Sequence, residues 1–461
     1  MEFISILNDV LGPVMRGPSS SHTAGSHHIG RLVRSLLGEE PARAVFTFDP
    51  DGSYAATYRQ QGVDLALAAA LLGWPITDPR FARSLTLAPK LGLKLEFKIA
   101  PLLKPEHPNT VAIGVVSKTG RALRATARSI GGGMIELIEV DGRPVRLDGK
   151  SAAVVETAGG IRTVEPIAFV RRGALLFESA AEMVRLARRR RVSLGRIALA
   201  CEARLLGLTE AEVLAEIGRR YGIMRDSVRR GLAGRGLGMK LLKPSAGRIF
   251  RAEAAKALPA GGFHTKAAAR AMAVLHVSNS GGIVCAAPTG GSAGVLPGVL
   301  VTLAEDGRLD AEGTALALLA AGAVGLIAAR RATFAAEVAG CQVEIGVAGA
   351  MAAAAVVEAA GGSAARAADA AAIALQNTMG SVCDLVQGLC EIPCHTRNAA
   401  AASNAFLCAD LVLGGYDNPV PLDETIDASF SSGKMLPPEL RCTAKGGLAV
   451  APSARALRRK R

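Results

Sequence analysis

Hydrophobic and polar residues alternate along four stretches in the first third of the chain. These stretches read ARAVFTFDPDGS, GLKLEFKIAP, TVAIGVVSKTG and MIELIEVDGRPVRLDG. A period of two is typical of β-strands that bury one face. Between them, GVDLALAAALLGW (62–74) has a helical pattern that ends at Gly73, with Pro75 beyond it. Gly131, Gly132 and Gly133 predict a turn that opens the next strand.

From about residue 171 the pattern becomes helical throughout. Glycine and proline clusters predict loops at 231–245, 257–264 and 279–298. A strand-rich part followed by a helix-rich part indicates two domains. We therefore predict an α+β fold, with an N-terminal α/β sandwich-like domain at 1–165 and an all-α domain at 171–461.

Composition is consistent with a folded protein and with a location in the cytoplasm. Half of the 461 residues are hydrophobic and only 20% are charged, which favours a large buried core. The uncharged run 313–329 is mostly alanine and glycine, so we expect a core helix and no membrane span. The first residues have no basic stretch and no small-residue cleavage site, so we expect no signal peptide.

The net charge of +14 is concentrated in one segment. Residues 171–251 contain 19 Lys or Arg and 7 Asp or Glu, a surplus of 12. The segment has a helical pattern and few aromatic residues that could stack on bases. This favours a solvated basic surface, and we expect no nucleic-acid partner.

The cysteines are the first candidates for chemistry. In SVCDLVQGLCEIPCHTRN (381–398), Cys383, Cys390 and Cys394 are spaced so that they could share one face of a helix. No CxxC pair occurs, which disfavours a zinc ribbon. Cys341, Cys383 and Cys394 are spaced widely enough to hold three irons of a [4Fe–4S] cluster and leave the fourth iron open. Spacing alone does not distinguish these ligands from core cysteines.

Two loops could bind an anionic ligand. RGPSSSHTAGSHH (16–28) places several hydroxyl groups before a helical pattern, whereas a helix cap needs only one. AAPTGGSAGVLPG (286–298) interleaves glycines with Thr289 and Ser292, so that the backbone could approach a ligand closely. It is not a P-loop, because no Gly-Lys-Ser/Thr follows.

These segments, together with SIGGG, GCQVEIG, VCDLVQGLCEIPCHTRN and GGLA, occur in an order that resembles the iron–sulfur-dependent bacterial L-serine dehydratases. The motifs span residues 17–449. The chain is similar to the form in which a small β domain and a catalytic α domain are fused. The resemblance implies dehydration of L-serine, or of a related small β-hydroxy amino acid, to a 2-keto acid and ammonia, without pyridoxal phosphate.

The resemblance also implies the site. Cys341, Cys383 and Cys394 would be the ligands of a [4Fe–4S] cluster, and a small amino-acid substrate would lie between the two domains. We further expect a homodimer. The substrate-binding residues implied are Ser19, Ser20, Ser21, His22, Thr23, Thr289, Gly290, Ser292, Gly294 and Asn398. The remaining cysteines expected in the core are Cys201, Cys285, Cys390 and Cys408.

Three positions depart from the pattern of that family. Gln61 stands where a candidate base histidine is usual, and glutamine cannot accept a proton. Near the C-terminus, Cys442 replaces a glutamate and Lys445 replaces an apolar residue. Lys445 would be the catalytic base if burial or cationic neighbours lowered its pKa, and otherwise an exposed lysine. Cys442 would be either a fourth ligand or a core residue.

The loss of the histidine leaves two alternatives to serine dehydration. One is a related enzyme that acts on a different β-substituted amino acid. The other is a non-catalytic cluster protein that binds amino acids or senses oxygen.

Overall fold

The computed structural model describes residues 4–103 and 105–457. The chain divides into two compact units, an α/β unit from Pro18 to Arg171 and a helical unit that contains the residues before and after it. The architecture confirms the predicted α+β class.

The described residues before Pro18 belong to the helical unit, although the sequence placed them in the 1–165 domain. Strand β1 (Val14–Arg16) pairs antiparallel with β10 (Ile283–Cys285). The buried carboxylate of Glu202 accepts the backbone N–H groups of Ile6 at 3.0 Å and Leu7 at 2.8 Å. These long-range bonds attach the segment to the helical unit, and the local hydrophobic pattern does not reveal them.

A six-stranded sheet forms the centre of the α/β unit. Its order is β3-β2-β4-β5-β6-β7, with β2 and β3 parallel and the other neighbours antiparallel. A separate hairpin is formed by β8 and β9. The strands are β2 Pro41–Phe48, β3 Lys94–Ile99, β4 Thr110–Ser117, β5 Ala122–Gly131, β6 Met134–Val140, β7 Arg143–Leu147, β8 Ala153–Thr157 and β9 Gly160–Val164.

Two helices cover one face of this sheet. Helices α1 (Gly25–Leu37) and α3 (Val63–Leu71) contribute leucines and valines to a core with alternate residues of β2, β4 and β5. Burial of this face explains the period of two in the sequence. The two remaining helices of the unit are short: α2 Ser53–Thr57 and α4 Ser84–Leu87.

The second unit consists mainly of packed helices. Its strands are short: besides β1 and β10 they are β11 (Cys383–Asp384) and β12 (Arg441–Thr443). The helices are α5 Ala180–Arg190, α6 Leu194–Leu206, α7 Glu210–Ala233, α8 Ala246–Ala254, α9 Phe263–Asn279, α10 Val295–Glu305, α11 Ala311–Arg331, α12 Ala336–Ala339, α13 Ile345–Ala359, α14 Ala364–Gln376, α15 Cys394–Leu413, α16 Leu422–Lys434 and α17 Pro452–Ala456.

Two helical segments are long and apolar enough to cross a membrane. These are Ala311–Arg331 and Cys341–Ala359, and 78% and 89% of their most apolar windows are buried inside the protein. Alanine and glycine allow such helices to approach closely: a Cβ added at Gly325 would lie 2.2 Å from a Val10 methyl carbon. The expected core helix at 313–329 is confirmed.

Most predicted elements are present. The four alternating stretches form β2, β3, β4 and the β6–β7 hairpin, and the predicted helix at 62–74 is α3. The three predicted loops separate α7, α8, α9 and α10 at the expected places. Strand β5 and the β8–β9 hairpin were not predicted, and the expectation that 171–461 is purely helical missed the short strands. The short strands β1, β10, β11 and β12 pair with segments distant in sequence, which no local pattern reveals.

Candidate active site

The three predicted cluster cysteines are all buried in the helical unit, on three different kinds of element. Cys341 opens a short 3₁₀ turn before α13, Cys383 lies on β11, and Cys394 is the first residue of α15. The possibility that Cys383, Cys390 and Cys394 share a face of one helix is therefore wrong. The pairing of β11 with β12 explains this, because it holds the chain extended at Cys383.

A close backbone approach brings Cys341 to the second cysteine. Gly340 has a φ of 75°, and a Cβ at this position would lie 2.6 Å from the carbonyl oxygen of Ser381. This leaves room for the Cys341 N–H to donate to the same carbonyl at 3.0 Å. Only glycine adopts this backbone conformation without strain.

The C-terminal strand supports Cys383 from the other side. Strand β12 pairs parallel with β11, and Leu385 donates its N–H to the Thr443 carbonyl at 3.0 Å. Gly447 has a φ of 59°, and a Cβ there would lie 2.4 Å from the Asp384 carboxylate. Asp384 instead accepts the N–H of Leu448 at 2.7 Å. The Gly-Gly motif thus fixes the residue that follows Cys383.

Five cysteine thiols interact in this centre. Cys341 is hydrogen-bonded to Cys383, and this contact, together with burial, raises the pKa of Cys341 well above its usual value. The Cys390 contact lowers the pKa of Cys394, while the same contact and burial raise that of Cys390. Cys442 is hydrogen-bonded to Cys383 and is also buried.

This set of donors fits a metal group with thiolate ligands. Buried thiols close together cannot all ionise, because each thiolate raises the cost of the next, whereas a bound metal removes the protons. One ligand atom each from Cys341, Cys383 and Glu344 lies within 4.8 Å of the others. Eight free cysteines and no disulfide occur among the described residues.

Glu344 connects this centre to the glycine loop, and sequence reasoning missed it. Its half-buried carboxyl group hydrogen-bonds with Thr289, and burial, followed by the charge of Glu337, raises its pKa well above the usual value. A Cβ at Gly291 would lie 3.5 Å from that carboxyl group. An acidic residue inside the apolar motif GCQVEIG was the available signal.

The glycine loop is held by its own hydroxyl groups. The Oγ atoms of Thr289 and Ser292 lie 3.0 Å apart, and each accepts the backbone N–H of the other residue at 3.2 Å. Both side chains are fully buried. Gly290 lies in the loop between them, and Gly294 closes the loop against α9, where a Cβ would be 2.3 Å from the Ala271 carbonyl.

Asn398 joins this loop to the start of α15. Its Oδ1 accepts the N–H of Gly294 at 3.1 Å, and its Nδ2 donates to the carbonyl of Gly291 at 2.9 Å and to that of Cys394 at 2.8 Å. The structure thus brings together the predicted residues of the helical unit: Cys341, Cys383, Cys394, Thr289, Gly290, Ser292, Gly294 and Asn398.

The serine-rich loop belongs to the α/β unit, where it forms a compact turn. Ser19 caps the π-helical turn Ser20–Ala24, and its Oγ accepts the His22 N–H at 3.1 Å. The His22 ring lies 3.2 Å from Ser19 Oγ and 3.1 Å from Ser53 Oγ. Burial lowers the pKa of His22 to about 3, so this ring is neutral at physiological pH.

Gln61 lies beside the same loop. Thr23 Oγ1 donates to the Gln61 carbonyl at 2.7 Å. The Gln61 side chain is 1% exposed, and its Nε2 has no partner among the described residues. Burial raises the pKa of nearby Asp64, three residues along the chain, to about 6.

The C-terminal departures have different surroundings. Cys442 is buried with a φ of 59°, a strained conformation for a residue other than glycine. Lys445 is exposed, and its N–H donates to Thr443 Oγ1 at 3.1 Å. Burial was one condition for Lys445 to act as the base, and this side chain is not buried. Its role as the base stays a prediction.

His395 follows Cys394 on α15 and is buried. It is 1% exposed, its Nε2 lies 3.0 Å from Asn279 Nδ2, and its ring contacts that of His276.

Comparison with known proteins gives consistent matches. A family model described as serine dehydratase alpha chain matches residues 152–449. The probable L-serine dehydratase alpha chain of Bacillus subtilis is 35% identical over 62% of this chain and 95% of its own length. The probable beta chain of the same organism is 42% identical over 34% of this chain and 68% of its own. The L-serine dehydratase of Streptomyces coelicolor is 31% identical over 94% of this chain and 96% of its own.

Proposed function

Because this chain belongs to the serine dehydratase family, we propose that it is an L-serine ammonia-lyase that requires a [4Fe–4S] cluster. The observation that carries the proposal is the buried centre in which Cys341, Cys383 and Cys394 lie beside the glycine loop. The products would be a 2-keto acid, pyruvate from serine, and ammonia.

Cys341, Cys383 and Cys394 would hold the cluster. When bound, it supplies an open iron as a Lewis acid for the β-hydroxyl group, which is a poor leaving group at neutral pH. The free thiols require a reducing compartment, and we therefore propose that the enzyme works in the cytoplasm.

The residues of the helical unit would orient the substrate. Thr289 and Ser292 hydrogen-bond to each other, so the loop is held in shape before any ligand binds. Asn398 connects the loop to α15. Pre-organised polar groups lower the entropy cost of reaching the reactive geometry. Glu344, hydrogen-bonded to Thr289, is the carboxyl group placed to exchange a proton with a ligand at this loop.

In the α/β unit, the serine-rich turn would recognise the charged groups of an amino acid. The hydroxyls of Ser19, Ser20, Ser21 and Thr23 and the neutral His22 ring are buried together. Hydroxyl and backbone N–H groups at a helical turn suit a carboxylate. The buried amide nitrogen of Gln61 would donate to the same carboxylate. We therefore propose that Gln61 binds substrate rather than accepts a proton.

Anaerobic assays with L-serine test the proposal. Protein purified without oxygen should release pyruvate and ammonia in equal amounts. Air followed by a chelator should abolish the reaction, and iron with sulfide should restore it, whereas the Cys383→Ala protein should stay inactive. Stable turnover after aeration and chelation would exclude the metal-dependent mechanism.

The replacement of the usual histidine by Gln61 favours a second candidate, a related enzyme for another β-substituted amino acid. The same preparation should then be inactive with serine and active with L-threonine or L-cysteine. A fully loaded protein that turns over none of these would instead indicate the binding or oxygen-sensing protein.

A further inference from the structure

Arg397 contacts one predicted ligand directly, contacts the neighbours of a second, and follows the third on α15. Its Nη1 donates to the carbonyl of Val382 at 2.6 Å and to the Cys341 sulfur at 3.8 Å. The same nitrogen forms an ion pair with Asp384 at 2.9 Å. Val382 and Asp384 flank Cys383, and Arg397 lies one helical turn after Cys394. One guanidinium group therefore contacts the Cys341 sulfur and both chain neighbours of Cys383.

The centre has a negative charge to balance. Three thiolates would carry more charge than a [4Fe–4S] core neutralises, and Asp384 adds a carboxylate that is 2% exposed. Burial alone would lower the pKa of Arg397, but the charges of Cys341, Asp384 and Cys394 outweigh it and raise the pKa above its ordinary value. Buried charges persist when they are paired in this way.

Of two other cations near the cysteines in sequence, one is hydrogen-bonded elsewhere and the other is exposed. Arg441, the neighbour of Cys442, donates to the carbonyl groups of Lys434 and Leu436. Lys445 is exposed. Arg397 is thus the better candidate for balancing the charge of the centre.

A cavity of about 280 Å³ in the helical unit is lined by both Arg397 and Cys341. Its other polar lining residues are Asn377, Thr378, Ser381 and Asn404. Cys341 and Arg397 thus line the same cavity, although Cys341 itself is buried. Hydrogen bonds to cluster sulfurs and solvent exposure are both known to set reduction potentials.

We propose that Arg397 is a positioning residue that stabilises the electron-rich state of the cluster through its contacts with Cys341 and Asp384. This inference rests on the proposed cluster. A positive charge favours the reduced state over the oxidised state, because the reduced state carries one more electron. Loss of Arg397 should therefore lower the reduction potential and make the cluster easier for oxygen to oxidise.

The test is a spectroelectrochemical titration of anaerobically loaded protein, with one electron added per cluster. We expect Arg397→Gln to have a lower potential than the parent, and Arg397→Lys to lie between them. Asp384→Asn removes a negative charge beside the same cysteine and should raise the potential. Arg366→Gln, an exposed arginine of α14, is the matched control and should change nothing. Bleaching in air should be faster in Arg397→Gln than in Arg366→Gln.

Equal potentials in Arg397→Gln and the parent would overturn the inference, as would a shift of the same sign in Asp384→Asn and Arg397→Gln. If Arg397→Gln binds no iron, the Asp384→Asn protein decides: a raised potential supports the charge balance, and any other result overturns it. Absence of a cluster in the parent protein would instead overturn the proposed function.

Discussion

The backbone N–H of Cys341 donates a hydrogen bond to the Ser381 carbonyl at 3.0 Å, across the two helices α13 and α14 that separate these residues in sequence. This bond holds the first predicted ligand against Ser381, which lies two residues before the second predicted ligand, Cys383. It forms because Gly340 leaves no side chain between the two backbone segments. The geometry of the centre therefore depends on a glycine as much as on its cysteines.

Replacement of Gly340 by alanine should damage the centre more than the fold. The new methyl group meets the Ser381 carbonyl and the backbone keeps a positive φ, so we expect a loss of roughly 1–3 kcal/mol in unfolding free energy and low iron content. Gly361 is the matched control, since its φ is 73° and nothing lies within 4 Å of an added Cβ. Gly361→Ala should lose stability only through backbone strain and should keep its full iron content. Equal iron content in both variants would contradict this account; urea unfolding and iron analysis provide the measurements.

Each predicted ligand should be essential for the cluster. Anaerobically purified protein should contain about four irons per chain and absorb near ~400 nm. Alanine at Cys341, Cys383 or Cys394 should remove both signals, because three thiolates are the minimum for holding the cluster. Cys201→Ala, which changes a buried thiol on α6, is the control and should keep its iron. Full iron loading in Cys383→Ala would refute the ligand assignment.

Glu344→Gln should separate catalysis from cluster binding. The amide can keep a hydrogen bond to Thr289 but cannot exchange a proton, so serine turnover should fall by roughly 10²–10⁴-fold. Iron content and absorbance should stay near those of the parent. Glu358→Gln, near the other end of the helix that Glu344 precedes, is the control, because Glu358 contacts Ser193 and the start of α6 instead. Unchanged turnover in Glu344→Gln would exclude its proton-transfer role.

Substitutions at Lys445 and Gln61 test which residue acts as the catalytic base. Because the Lys445 side chain is exposed, we expect Lys445→Met to leave serine turnover unchanged. Gln61→His replaces the amide that we propose to bind substrate, so it should lower serine turnover; a gain of roughly 10²–10⁴-fold would instead show that a proton acceptor is required at this position. A loss of roughly 10²–10⁴-fold in Lys445→Met that disappears in the Gln61→His background would show that the lysine acts as the base. Steady-state pyruvate release distinguishes these results.

Glu202 should make stability depend on pH. Burial raises its pKa to about 7 in the folded protein, against about 4.3 when unfolded. Folding therefore favours the protonated form, and stability is lost as pH rises from about 4.3 to about 7. Glu202→Gln does not titrate and should reduce this slope, whereas Glu212→Gln, at an exposed position of α7, should not. Urea unfolding at pH 5 and pH 8 measures the effect; identical slopes in Glu202→Gln and the parent would contradict it.

Elements with a strong local period could be predicted from the amino-acid sequence. Alternation predicted β2, β3, β4 and the β6–β7 hairpin, and glycine and proline clusters predicted the loops between α7 and α10. Burial of one face imposes these patterns on neighbouring residues, so they can be read from a short window. The ordered motifs were likewise sufficient to predict the family.

How the motifs meet depends on long-range contacts that become visible only in the folded chain. Cys383 could have been helical by spacing, and only its pairing with β12 makes it extended. The roles of Glu344 and Arg397 were not predicted, because their partners Thr289, Cys341 and Asp384 are distant in sequence. Their positions depend on close backbone approaches at Gly340 and Gly447. Such contacts follow from long-range packing, which leaves no periodic signal in the chain.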